Sequence, residues 1–289
     1  MNWLTPDRQL LLLRAGARVP TGIWWPVGQL VSSLLAIRPP KPLRQWERNA
    51  TVACGQRPGL QLRRRAQWFW LRNTVGSLQL GHWSSRRINR AVRIDPAALV
   101  RLRDLRSDRG LVIALPHMGS WDLAGAFACI NGLPLTTVAE WLPAGQFEYF
   151  SRLRARLGMH VYPYTEPNLI PTLVAAVRAG RVVCLVADRD FGRRGLSVGW
   201  PTPDGERELT IPAGPVLIAQ QTGAALVGVG CWFEGGRLGI DISAPIAHAP
   251  GLAGARQMGQ ELVRYFAAQI RMHPADWHMM QRFFPREVV

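Results

Sequence analysis

From residue 96 onward, short runs of β-branched and aliphatic residues alternate with longer segments whose apolar residues recur at the helical period. This alternation is typical of βαβ units, in which parallel strands form one sheet and helices cover its faces. The pair Gly235-Gly236 predicts a tight turn, so the last two strands should form an antiparallel hairpin. We therefore predict an α/β fold with a mostly parallel central sheet flanked by helices. The predicted strands are 111–115, 135–139, 160–164, 182–187, 226–233 and 238–242, and the predicted helices are 96–107, 121–131, 145–157, 167–179, 212–222 and 254–272.

The first 110 residues hold nearly all of the net charge. They contain 20 Lys+Arg and 5 Asp+Glu, or +15, whereas residues 111–289 contain 15 and 14, or +1. They also hold seven of the 12 tryptophans. Arginine and tryptophan, together with leucine, are favoured at an anionic lipid interface. Residues 1–95 are therefore predicted to form basic, Trp-rich amphipathic helices that bind a membrane and pack on a single core domain, residues 96–289.

The most apolar stretch near the start, residues 10–37, is interrupted by Arg14, Arg18, Pro20 and Pro26. A bilayer-spanning helix needs about 20 consecutive apolar residues, so no transmembrane helix is predicted. The start also lacks the pattern of a cleaved signal peptide. The four cysteines are widely spaced without a C-x-x-C pair, which indicates free thiols in a reducing compartment. We expect a monomer that lies peripherally on the cytoplasmic face of the cell membrane.

Three predicted strands are followed by side chains that can exchange protons. His117 follows the first strand, and Glu140 follows the second. Asp188 and Asp190 lie at the end of the strand VVCLVA, one and three residues beyond it. In open α/β sheets, ligands bind outside the carboxyl ends of the strands. These groups are therefore expected at one rim, where they would form a site.

The segment between His117 and Asp122 suggests acid–base chemistry. A helix should begin just after the histidine, so Asp122 lies one turn along and could fold back onto the imidazole. Such a carboxylate fixes the tautomer and stabilises the imidazolium that forms when histidine accepts a proton. The amides of Gly119 and Ser120 could stabilise an oxyanion. The alternative is a capping turn, in which Asp122 only satisfies helix amides and His117 is a polar residue at a strand end.

The segment PHMGSWD, residues 116–122, resembles the H-x4-D motif of the glycerolipid-type acyltransferases, and its surroundings resemble the lipid A biosynthesis branch of that family. The resemblance covers about residues 110–281 and implies a glycerolipid acyltransferase-like fold. The DWHMMQ ending and the Arg-rich composition are most similar to the actinobacterial phosphatidylinositol mannoside acyltransferases. Further matching segments, in the order of the family, are AEWLPAGQFEYFSRLRARLGM, VCLVADRDFGRRG, IPAGPVLIAQQTGA and HPADWHMMQ.

The resemblance implies an O-acyltransferase in which His117 is the general base and Asp122 its partner. Asp188 would be a further catalytic carboxylate near the histidine, with Asp190 as the alternative for that role. Arg154, held by Glu140, would position the acceptor. The acyl donor would be acyl-CoA, the acceptor a mannose of phosphatidylinositol mannoside, and no cofactor is implied. The residues expected to contact substrate are Ser120, Glu140, Arg154, Arg189 and Asp190.

Several other functions compete with this interpretation. Acyl transfer to a lipid A-type saccharide shares all of these motifs. A noncatalytic basic protein that binds nucleic acid or anionic membrane would explain the charge, but it would leave the strand-end groups unused, and no nucleic acid partner is expected. His273 and His278 have a spacing that metal ligands can show, yet no cysteine or acidic cluster completes a zinc site. No G-x-S-x-G elbow is present, so a serine hydrolase lacks its nucleophile.

Overall fold

A computed structural model describes residue 19 and residues 21–140, 146–190 and 195–285. The strands of this part of the chain are β1 (Val92–Arg93), β2 (Leu111–Leu115), β3 (Leu135–Ala139), β4 (His160–Pro163), β5 (Val182–Val186), β6 (Leu196–Thr202), β7 (Gly205–Ile211), β8 (Ala225–Glu234) and β9 (Arg237–Ile242). Seven of them form one sheet in the order β1-β9-β8-β2-β5-β3-β4. All neighbours in it are parallel except the hairpin of β8 and β9. The predicted mostly parallel sheet is confirmed.

Helices flank this sheet, and their starts carry recognisable signals. The side chain of Asp95 accepts the amide of Ala97 at 3.0 Å, and Pro96 occupies the first helical turn, where its missing N–H costs nothing. The helices are α1 (Thr21–Ile37), α2 (Lys41–Cys54), α3 (Leu60–Gln79), α4 (Ser85–Ala91), α5 (Pro96–Arg109), α6 (Trp121–Ile130), α7 (Gln146–Arg156), α8 (Leu169–Arg178), α9 (Gly214–Thr222) and α10 (Gly251–Met272), with short 3-10 turns at Leu80–His82 and Pro274–Asp276.

The central strand β2 is buried on both faces. Val112 and Ala114 pack into one hydrophobic cluster, whereas Leu111, Ile113 and Leu115 pack into another. Successive side chains of a strand point to opposite faces of the sheet, so helices must cover both sides here. Burial on both faces explains the continuous aliphatic run of β2. The same burial holds in place the strand that precedes His117, the candidate base.

All six predicted strands and all six predicted helices are present, with ends that differ by up to three residues; the helix predicted at 254–272, for example, begins at 251. The hairpin of β6 and β7 was not predicted. Its first strand contains Gly199 and Pro201, residue types that are depleted in strands, and its second alternates exposed and less exposed residues. The hairpin lies outside the main sheet and packs against α10.

The N-terminal helices differ in how they are covered. Leu43 and Trp46 of α2 are fully buried, and Phe69 of α3 is 8% exposed, so both helices contribute to the hydrophobic core. The residues before 19, including Trp3, lie outside the described residues. Membrane binding by this region, and a domain boundary near residue 95, stay predictions.

Helix α1 presents large apolar side chains to solvent. They recur every three or four residues, which places them on one side of the helix. Among the described helices, none is long and apolar enough to span a membrane. The side chains of this apolar stripe, with their exposed fractions, are Ile23 (60%), Val27 (50%), Leu30 (62%), Leu34 (59%) and Ile37 (66%).

Candidate active site

His117 and Asp188 meet at the carboxyl edge of the sheet because their strands are neighbours. β2 and β5 are parallel, and Leu115 is paired with Val186, so positions 117 and 188 both lie two residues beyond the same rung. Asp188 Oδ1 lies 2.5 Å from His117 Nδ1, and Asp188 Oδ2 accepts the backbone N–H of His117 at 3.1 Å. One carboxylate therefore fixes both the ring and the backbone of the histidine.

The surroundings keep Asp188 charged although it is fully buried. The indole N–H of Trp277 donates to Asp188 Oδ2 at 3.0 Å. Burial alone would raise the pKa of Asp188, but the charge and hydrogen bonds of His117, with the Trp277 bond, hold the pKa below its usual value. Burial likewise acts to lower the pKa of His117, and Asp188 outweighs it, so that pKa is raised. The histidine side chain is 28% exposed, and with Nδ1 taken, Nε2 is the nitrogen left for a substrate proton.

Asp122 pairs with Arg154 and not with His117, which corrects the expected arrangement. Arg154 Nε donates to Asp122 Oδ1 at 2.7 Å, and its terminal nitrogen donates to Oδ2 at 3.2 Å. Both oxygens of the carboxylate are thus engaged by one guanidinium. The expected partner of Arg154, Glu140, lies exposed just after β3, and its charge instead helps to raise the pKa of His117.

In the turn after His117, one of the two amides expected to stabilise an oxyanion is already engaged in a hydrogen bond. The N–H of Gly119 donates to the carbonyl oxygen of Asp276 at 3.0 Å. Gly119 has a left-handed φ of 61°, and a Cβ there would lie 2.5 Å from the carbonyl oxygen of Cys231, so the turn requires glycine. Ser120 is buried just before α6. The first amides of that helix therefore remain as candidate oxyanion donors.

Arg189 and Asp190 follow Asp188 in a half-buried segment. The guanidinium of Arg189 donates to the side-chain oxygen of Gln281, and its charge acts to lower the pKa of the imidazole. Asp188, the first of the two carboxylates after β5, contacts the imidazole of His117. The substrate-contact roles expected for Ser120, Arg189 and Asp190 stay predictions.

Comparison with known proteins identifies the family. The model of the bacterial lipid A biosynthesis acyltransferases matches residues 72–286. The chain belongs to this family. It is 42% identical over 181 residues to the phosphatidylinositol mannoside acyltransferase of Mycolicibacterium smegmatis. The matched residues cover 61% of this chain and 57% of that protein. It is 39% identical over 183 residues to the enzyme of the same name from Mycobacterium tuberculosis, covering 61% and 55%. The chain thus matches little more than half the length of these relatives.

In this family member, segment 273–278 completes the site, a role that sequence reasoning missed. Besides the Trp277 bond to the buried carboxylate, the backbone N–H of His278 donates to the carbonyl oxygen of His117 at 2.7 Å. Burial lowers the pKa of His278 to about 4, so its neutral ring donates from Nε2 to the carbonyl oxygen of Gly119 at 2.8 Å. No group of three or more His, Cys, Asp or Glu among the described residues could hold a metal ion. The available signal was the HPADWHMMQ motif itself.

A cavity of about 490 Å³ lies beside this turn, between the N-terminal helices and the start of α6. Ser120 and Leu123 contribute to its wall on the side of the sheet. The rest of the wall includes three tryptophans and three arginines, which give it both apolar area and positive charge. These residues are Trp24, Trp25, Trp83, Arg72, Arg87 and Arg90.

Proposed function

We propose that the protein is an O-acyltransferase that moves a fatty acyl chain from acyl-CoA to a hydroxyl of a glycolipid sugar. The observation that carries this proposal is the contact of His117 Nδ1 with Asp188 at 2.5 Å on the open edge of the sheet. An imidazole fixed by a buried carboxylate, with its other nitrogen left for substrate, is suited to general-base catalysis near neutral pH.

The proposed reaction needs one proton transfer to His117 and one from it. The sugar hydroxyl oxygen attacks the thioester carbonyl carbon while His117 Nε2 takes the hydroxyl proton, and Asp188 stabilises the imidazolium that results. The tetrahedral intermediate then collapses, the carbon–sulfur bond breaks, and the imidazolium returns its proton to the leaving thiolate. The products are an ester and free CoA, without an acyl-enzyme. The amides that begin α6 would stabilise the oxyanion.

The ion pair of Asp122 and Arg154 would keep this turn in place. It joins the first turn of α6 to α7, and its side chains are only 9% and 17% exposed. A bidentate pair fixes orientation as well as distance. In this proposal Arg154 contributes to positioning the acceptor through the turn that it anchors.

The acceptor we propose is a mannose of phosphatidylinositol mannoside, as in the names of the two relatives. A lipid A-type saccharide is the second candidate, because the matching family model describes lipid A biosynthesis enzymes. Both acceptors offer a sugar hydroxyl carried by an anionic lipid, so the chemistry at the imidazole is the same.

The apolar stripe on α1 supports peripheral binding at a membrane, which we place at the cytoplasmic face. Five exposed large side chains share one side of a helix that contains no charged residue, while the surrounding residues 1–110 carry the positive charge. Apolar burial in the interface and attraction to anionic lipid reinforce each other. A bound monomer would present its active site to a lipid-borne acceptor.

An acyl-transfer assay with product identification tests the proposed function. Purified protein would receive radiolabelled palmitoyl-CoA with phosphatidylinositol mannoside, with a lipid A precursor, or with no acceptor, and the lipids would be resolved by mass spectrometry. We expect one acyl group to be added to the mannolipid, and a parallel reaction with an acyl carrier protein donor to be slower. Hydrolysis of the thioester without any acylated lipid would refute the function.

Vesicle binding tests the membrane surface. Replacing Leu30 and Leu34 by Glu should lower the partition coefficient to anionic vesicles by at least tenfold, because each buried leucine contributes about 1.5–3 kcal/mol. The matched control is Leu252→Glu, since Leu252 is 66% exposed on α10, away from the stripe. Sedimentation with vesicles measures both. Equal losses in the two proteins would show that α1 is not the contact.

A further inference from the structure

The cavity beside the catalytic turn, residues 117–120, has an unusual combination of lining residues. Three tryptophans and three arginines line it, together with Leu80, Leu123 and Phe233, whereas no acidic residue does so. A purely apolar chain would leave the guanidinium groups without an anion, and a purely polar ligand would leave the indoles without an apolar contact. The lining therefore fits an amphiphile that carries negative charge next to an apolar part.

Two of the arginines are available to a ligand. Arg72 donates to the carbonyl oxygens of Gly235 and Gly236 at 2.9 and 2.8 Å, so it holds the β8–β9 turn. Arg87 and Arg90, in contrast, are exposed and form no ion pair with an acidic side chain within the described residues. They lie three residues apart on α4, hence on one side of that helix.

Arg87 is also held in a defined position. Its guanidinium carbon lies 4.0 Å from the centroid of the Trp83 ring, within the range of a cation–π contact. A stacked guanidinium has fewer orientations to lose when it binds an anion, and its planar fork matches two phosphate oxygens. Arg87 is therefore better prepared for phosphate than a freely moving surface arginine.

The position of the cavity indicates the side from which a ligand enters it. Gly22, Trp24 and Trp25 line it from α1, the same helix whose other side carries the exposed apolar stripe. Ser120 lines it from the catalytic turn, three residues after His117. A lipid headgroup could therefore enter from the membrane side and reach the turn that carries the base.

We propose that this cavity binds the phosphodiester of an anionic membrane lipid, with Arg87 and Arg90 as its phosphate contacts. The inference deepens the proposed function: the bound lipid would be the acyl acceptor, held by its phosphate while its sugar reaches His117. The phosphates of acyl-CoA offer the same chemistry, and the experiment separates the two sources.

Direct binding is measured first, without catalysis. The probe is dihexanoyl phosphatidylinositol below its critical micelle concentration, titrated into the full chain by calorimetry, with dihexanoyl phosphatidylcholine as the zwitterionic comparison. The double variant Arg87→Gln/Arg90→Gln should weaken phosphatidylinositol binding by at least tenfold, because two charge-assisted hydrogen bonds are lost. The matched control is Arg86→Gln, which removes a charge from the same helix outside the cavity and should change the affinity by less than about twofold.

The kinetic arm identifies the source of the phosphate. In the double variant, KM for the mannolipid should rise by at least tenfold, while KM for acyl-CoA stays the same. A rise in KM for acyl-CoA alone would assign the arginines to the donor and overturn the proposal, as would a loss of affinity in Arg86→Gln as large as in the double variant. A wild-type protein that binds phosphatidylinositol but transfers no acyl group would refute the proposed function and leave the cavity assignment standing.

Discussion

Two pairs of side chains, each with a buried carboxylate, adjoin the turn after His117 and suit different purposes. The first joins Asp188 to His117 across neighbouring strand ends, and the second joins Asp122 on α6 to Arg154 on α7. The carboxylates are similar, at 0% and 9% side-chain exposure. Their partners differ, because an imidazole changes charge near neutral pH whereas a guanidinium does not. The first pair can move a proton, and the second can only hold position.

The largest predicted effect comes from removing the base of the first pair. His117→Ala should lower kcat for acyl transfer by about 10² to 10⁴, because water replaces a positioned base poorly. The measurement is the initial rate at saturating donor and acceptor, with thermal unfolding of each protein. The control is His160→Ala, an exposed histidine on the edge strand β4. Full turnover in a folded His117→Ala protein would end the general-base assignment.

The second effect is a change in pH dependence when Asp188 becomes Asn. Burial acts to lower the pKa of His117, and the Asp188 charge raises it above its ordinary value. The base must be neutral, so kcat/KM should fall as the pH drops through this raised pKa. Asp188→Asn should move that acid limb to lower pH and also lower the plateau, since the imidazolium loses its counter-charge. A pH–rate profile with an unmoved limb would show that the limb does not report this pair.

The second ion pair should affect stability more than chemistry. Arg154→Met leaves the Asp122 carboxylate buried without a counter-charge, which costs about 3–5 kcal/mol of unfolding free energy. The double variant Asp122→Asn/Arg154→Met should recover part of that loss. Urea unfolding measures the free energy in both singles and the double, and the conservative Arg154→Lys should lose less than Arg154→Met. A fully additive double-mutant cycle would contradict the coupling of the two side chains.

The position of His117 and Asp188 at one rim of the sheet could be predicted from the sequence, but their contact could not. The aliphatic run before each strand end placed both His117 and Asp188 at one rim. Their contact depends on β2 and β5 being neighbours, although β3 and β4 come between them along the chain. Chain order does not specify sheet order. The spacing of five between His117 and Asp122 was misleading because it keeps the two residues close along the chain and leaves the direction of the carboxylate open.

The residues that complete the site lie too far along the chain for pattern reasoning. Trp277 is separated from Asp188 by 89 positions and follows a 3-10 turn that has no periodic signature. The hydrogen bond from His278 to the turn after His117, which explains why His278 is buried and neutral, becomes visible only when the strands are in place. The motif resemblance marked this segment without saying what each residue does.

Asp276 provides the smallest effect on turnover and the sharpest contrast with the two pairs, because it is a buried carboxyl to which no basic side chain of the described residues is bonded. Burial raises the pKa of Asp276 to about 8, against the amide of Phe233, which donates to its Oδ1 at 2.7 Å, and the charges of Arg65 and Arg72. The folded protein therefore keeps a proton that the unfolded chain loses near its ordinary pKa of about 4. The free energy of unfolding should fall as the pH rises from about 4 to about 8, and the loss should be complete above that range.

Asn in place of Asp276 keeps the acceptor and cannot ionise, so Asp276→Asn should flatten the decline and leave turnover nearly unchanged. Melting temperatures at about pH 5 and about pH 9 measure this pH dependence of stability, and Asp104→Asn, at an exposed position, is the control. Parallel curves for wild type and Asp276→Asn would show that this carboxyl stays ionised in the fold.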